Sequence, residues 1–145
     1  MEADLQQVLD IEAIKKLKAR YFRLIDTKDW AGFAQVFAED ARMLVPEADV
    51  DITGRDAITE SISALLDGVQ TVHHGHMPEI RLTSNTTATD IWALQDTIIW
   101  PDGSRLLGFG HYHESYELVE NEWRIKELTL TRLHMEISNP PTGST

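Results

Sequence analysis

Imidazole exchanges a proton near neutrality, so histidine serves as a general base or a metal ligand wherever the fold presents it. The chain has six histidines in 145 residues, and three of them crowd into Val72-His73-His74-Gly75-His76. In an extended strand, alternation puts His73 on one face and His74 with His76 on the other, and a one-position shift of register would exchange His73 for His74. His111 and His113 form a second H-x-H pair. Such pairs project together and suit chelation of a metal. In the strand order derived below, a whole strand separates the two pairs. No metal site is therefore expected, and these four histidines read as a solvated or self-associating outer face.

Two acids stand in positions that need explaining. Asp26 lies near the end of the first helical segment, four residues after Phe22, where the helix dipole disfavours a negative charge. It either caps the turn before Asp29 or partners a nearby base such as His73. Asp96 shares strand parity with Trp92, Leu94, Ile98 and Trp100. A carboxylate among such neighbours meets an arginine or a sheet edge, or sits in an apolar cavity where desolvation raises its pKa. Gly108, Gly110 and Tyr112 also share a face. Two glycines there leave a hollow with a phenol at its rim, or mark a bend in the strand.

The elements that must hold these residues change period halfway along the chain. Val8, Ile11, Ile14, Leu17, Tyr21, Leu24 and Ile25 recur at threes and fours and predict a first helix. A second starts at Asp29 as N-cap, with Trp30, Phe33, Val36 and Phe37 on one face. A third follows Thr53-Gly54-Arg55-Asp56, read as a capping box, and ends at Gly68. Residues 42–45 read as a short strand between them. Residues 72–82, 87–100, 105–119 and 122–135 then alternate with period 2 and predict four strands. Their short connections imply an antiparallel meander, hence an α+β fold with helices on one face of a sheet. The expected organisation is one domain over residues 1–137 and a loose tail over 138–145.

Composition narrows the function classes. Thirteen basic against 24 acidic residues give a net charge of −11. Such a surface repels phosphate backbones and anionic headgroups, so neither nucleic acid nor membrane is expected as a partner. With no cysteine there is no thiolate nucleophile, disulfide or thiolate metal site. The first twenty residues contain no apolar run of signal-peptide length, which makes cytoplasmic location the expectation.

Several stretches together resemble SnoaL-like proteins of the nuclear-transport-factor-2-like superfamily. They are IKKLKARYFRLIDTKDWAGFAQVFAED at 14–40, the run His73-His74-Gly75-His76-Met77-Pro78-Glu79-Ile80, and GHYHESYELVENEW at 110–123. The resemblance implies a cone: a curved antiparallel sheet wrapped on three N-terminal helices and enclosing a pocket, the cystatin-like roll. It is similar to the bile-acid 7α-dehydratase, hexachlorocyclohexane dehydrochlorinase and scytalone dehydratase group, and so implies a cofactor-free lyase or isomerase. Its substrate would be a small apolar oxygenated molecule such as a steroid or polyketide. By the same resemblance His73 and Asp26 form a catalytic dyad, with Tyr21 and Asp96 assisting. Trp30, Phe33, Trp92, Leu94, Ile98, Gly110, Tyr112 and Arg132 are the residues expected to meet the substrate, Arg132 only if no bulge turns it outward. The implied assembly is a homodimer or higher homo-oligomer. A non-catalytic ligand-binding or dimerisation module of the same shape is the alternative. Met77 departs from the pattern, since asparagine commonly precedes the proline at that point.

Overall fold

A computed structural model describes residues 2–140 and 142. The chain opens with helix α1 (Glu2–Asp26), whose repeat buries Ile14, Leu17, Tyr21, Leu24 and Ile25, together with Lys18. The helix ends on paired reverse bonds: the Asp29 amide donates to the Leu24 carbonyl at 2.9 Å and the Lys28 amide to that of Ile25 at 3.3 Å. Lys28 takes the left-handed conformation this ending requires, with φ 61°. Asp29 then caps α2 (Trp30–Gln35) by accepting from the Gly32 amide at 3.0 Å.

Helix α2 is shorter than its apolar spacing predicts. Phe37 lies in β1 (Phe37–Val45), because the Ile125 amide donates to the Val36 carbonyl and Phe37 pairs with Ile125. Sheet pairing thus overrides a local helical pattern. A 3-10 turn (Pro46–Ala48) leads into β2 (Val50–Thr53), a strand that periodicity alone does not reveal. Thr53 pairs with Arg42 in that ladder, so the expected capping box is not made. Gly54, at φ 103°, stands at the start of α3 (Arg55–Leu66) with no side-chain cap.

The remaining strands are β3 (Gln70–Leu82), β4 (Thr87–Ile99), β5 (Arg105–Val119) and β6 (Glu122–Ser138). They form the expected meander of antiparallel neighbours. The six-stranded sheet runs β2-β1-β6-β5-β4-β3, with β1 parallel to β6. The sheet is therefore mixed rather than wholly antiparallel, and it stays unclosed. Irregularities between His76 and Glu79, Phe109 and Gly110, and Ser115 and Tyr116 bend it around the helices. Ser138, assigned to the tail on sequence, is the last residue of β6. Tail residues 141 and 143–145 lie outside the described residues.

Tyr21, Phe33 and Phe37 stack between helices and sheet with ring centroids 5.2–6.1 Å apart, closing the core. No helix among the described residues is long and apolar enough to cross a membrane.

Candidate active site

Asp26, on the last turn of α1, faces the first long strand of the meander. Its Oδ1 accepts from His73 Nδ1 at 2.7 Å, and its Oδ2 accepts from the His73 amide at 2.8 Å. The Thr71 hydroxyl donates to the same Oδ1 at 2.8 Å. Burial raises the Asp26 carboxyl, but the His73 ring, the His73 amide and Thr71 together outweigh it, and the net direction is downward. An ionised Asp26 fixes the tautomer of its partner: Nδ1 carries the proton, and Nε2 presents a lone pair. His73 is 9% exposed, so that lone pair sits at the margin of the core.

Across the ladder from His73 is Asp96, on the same inner face. Arg132 meets it with both guanidinium ends: Nη1 donates to Oδ1 at 2.6 Å and Nη2 to Oδ2 at 2.9 Å. Of the three environments open to Asp96, the arginine partner is the one found. The glycine hollow is also filled. A Cβ on Gly108 would collide with both Asp96 Oδ1 and Arg132 Nη1, so this glycine makes room for the pair. A Cβ on Gly110 would strike the Thr131 carbonyl, at the bulge where β6 carries an extra residue. That bulge leaves Arg132 on the inner face. Gly75 admits the Phe22 ring, which packs edge-on against Trp92.

Tyr21 and Tyr112 meet edge to face at 5.8 Å. Burial pushes the Tyr21 phenol upward, as do the negative charges of Glu114, Asp96 and Asp26. Lys18 Nζ lies 3.6 Å from the ring centroid of each tyrosine and donates to Glu114 Oε2 at 3.1 Å. Glu114 Oε1 accepts from the Tyr116 hydroxyl at 2.9 Å, and Asp90 Oδ2 accepts from the Trp92 indole at 2.6 Å. Burial lowers the Lys18 ammonium and raises both Glu114 and Asp90, the last to about 7. The sequence reading passed over this cluster. Its signal was present: Lys18 is four residues after Ile14, Asp90 two before Trp92, and Glu114 two after Tyr112. Extending each apolar face by one step finds all three.

The expected lining residues divide by burial. Phe33, Trp92, Leu94 and Tyr112 belong to the packed core, whereas Trp30 and Ile98 are partly buried against it. Trp30 is held at the helix corner by a 3.1 Å bond from its indole to Asp67. His74 and His76 point outward, as do His111 and His113, with ring centroids 6.0 and 6.2 Å apart within each pair. Ala93 of β4 stands between His76 and His111. Among the described residues, no group of three or more His, Asp or Glu side chains could hold a metal ion. An open groove of about 770 Å³ lies away from the dyad and is lined in part by Glu79, Arg81, Ile91, His113 and Thr129.

The SnoaL-like domain matches residues 6–129. A protein of Gibberella zeae described as the probable cyclase FGR4 is 26% identical over 137 residues, covering 86% of this chain and 91% of its own length. A scytalone dehydratase-like protein of Novosphingobium aromaticivorans superposes with a TM-score of 0.81 at 20% identity, covering 97% of this chain and 98% of that one. A type 2 hexachlorocyclohexane dehydrochlorinase superposes at 0.85 with 16% identity, covering 98% and 97%.

Proposed function

The chain belongs to the SnoaL-like family, and from that premise we propose that it is a lyase of the dehydratase type using a His73–Asp26 dyad. The observation that carries the reading is the 2.7 Å bond from His73 Nδ1 to a carboxylate that itself stays ionised. His73 Nε2 removes a proton next to a substrate carbonyl, and the C–H electron pair passes into an enolate. The enolate collapses to a carbon–carbon double bond as the β-hydroxyl departs. The imidazolium returns its proton to that hydroxyl, which leaves as water. Asp26 stabilises the imidazolium between these two transfers.

Tyr21 donates a hydrogen bond to the enolate oxygen, since burial and neighbouring anions keep its phenol protonated. Asp96 serves by holding Arg132, whose guanidinium orients the carbonyl. The reaction consists of two proton transfers and the C–O cleavage that the second assists, and these side chains supply both transfers without a cofactor. The substrate class is a small, largely apolar β-hydroxycarbonyl compound, of which polyketides and oxidised steroids are examples.

Steady-state turnover on a panel of such compounds tests the reading. His73→Ala and Asp26→Asn are each expected to lower kcat/KM by about 10²–10⁴-fold. Ligand binding that survives without turnover in the wild type would point instead to a binding module.

A further inference from the structure

We propose that Lys28 is a positioning residue of the dyad: acting through the Thr71 hydroxyl, it orients Asp26 and weakens the hold of His73 on the proton it has removed. The inference rests on His73 being the base, but its test needs no turnover.

The first observation is conformational. Lys28 ends α1 with φ 61°, at the position where glycine is favoured because any Cβ is crowded. A side chain there is strained, and non-glycine residues held in this region cluster where their side chains have work to do. The second is where the ammonium goes. Lys28 Nζ donates to Thr71 Oγ1 at 2.6 Å, and Thr71, only 5% exposed, donates onward to Asp26 Oδ1 at 2.8 Å. That oxygen is the one receiving His73 Nδ1. An ammonium can only donate and a carboxylate can only accept, so every proton in the chain Lys28–Thr71–Asp26–His73 has one assignment.

The relay brings a positive charge to the back of the dyad. Burial lowers the Lys28 ammonium, while Asp26 and Asp67 act in the opposite sense. The other charged groups around His73 offset one another, since Asp96 from β4 is paired with Arg132 from β6. Tyr21 of α1 is neutral, and Asp67 is engaged by the Trp30 indole. A cation behind Asp26 makes the imidazolium less favourable. His73 can then return its proton to the leaving group rather than trap it.

The ring resonances of His73 would be titrated by NMR in the full chain, assigned with a His73→Gln variant. Lys28→Met keeps the backbone demand and removes the charge, and should raise the His73 midpoint by about 0.3–1 unit. Thr71→Val should raise it as well, and Lys28→Arg should keep it near the wild-type value. A role in packing alone would change Tm and leave the titration in place. A Lys28→Met midpoint within about 0.1 unit of wild type overturns the proposal, as does an equal shift in Lys28→Arg. Failure to find a substrate would count against the lyase reading and leave this result standing.

Discussion

Asp26 is where local energetics and proposed chemistry meet. A carboxylate near the negative end of a helix dipole would ordinarily be a liability, and three donors convert it into a fixed charge. Because its folded pKa lies below the ordinary aspartate value, it binds its proton less readily folded than unfolded. The stability it contributes is complete above the unfolded pKa and is lost as pH falls through the folded one. Asp26→Asn should therefore reduce Tm at pH 7 and give a flatter acid limb below about pH 4 in thermal denaturation. Gly108 shows the opposite case, in which an absent atom matters. Gly108→Ala should displace the Asp96–Arg132 pair and lower kcat/KM in steady-state turnover by about 10-fold or more. Strand parity separated His73 from His74 and His76 and grouped Asp96 with Trp92 and Leu94, and the family resemblance brought His73, Asp26 and Asp96 together. It could not reveal the Lys28–Thr71 bond, which joins residues 43 apart through a left-handed turn.

At the scale of elements, the meander was readable because its strands alternate and its turns are short. Helix α2 was misread at its end, since Val36 and Phe37 continue an apolar helical spacing that only the bond from Ile125 contradicts. Strand β2 is four residues long, too short to show a period of its own. The irregularity in β3 gives physical content to one departure from the family pattern. Met77 sits between His76 and Glu79 with φ 41° and its side chain 90% exposed. Asparagine enters that backbone region far more readily than methionine. Met77→Asn should raise stability by about 0.5–1 kcal/mol in urea denaturation without changing the m-value.

Across the whole molecule, the polar cluster in the core couples stability to pH in the sense opposite to Asp26. Asp90 is raised to about 7 by burial and by Glu114, so between pH 3.8 and 7 the folded chain holds a proton that the unfolded chain has released. Stability attributable to Asp90 therefore falls as pH rises through that window. The buried Oδ1 of Asp90 has no hydrogen-bond partner, which fits a site that favours the neutral acid. Asp90→Asn imitates the protonated form and should raise Tm at pH 8 more than at pH 5. Equal effects at the two pH values would contradict the assignment.

The parallel pairing of β1 with β6 has a consequence for the order of assembly. As the chain leaves the ribosome, the helices and the β1–β2 hairpin emerge first, yet β1 has no second neighbour until residues 122–138 follow. Lys18 likewise waits for Glu114, its buried counter-ion. Until then the nascent chain carries an unpaired strand edge and an ammonium without its carboxylate, features that invite aggregation or a chaperone. The meander, by contrast, can zip locally, hairpin by hairpin, as it is made. The half of the protein that supplies Asp26 is thus synthesised first and completed last.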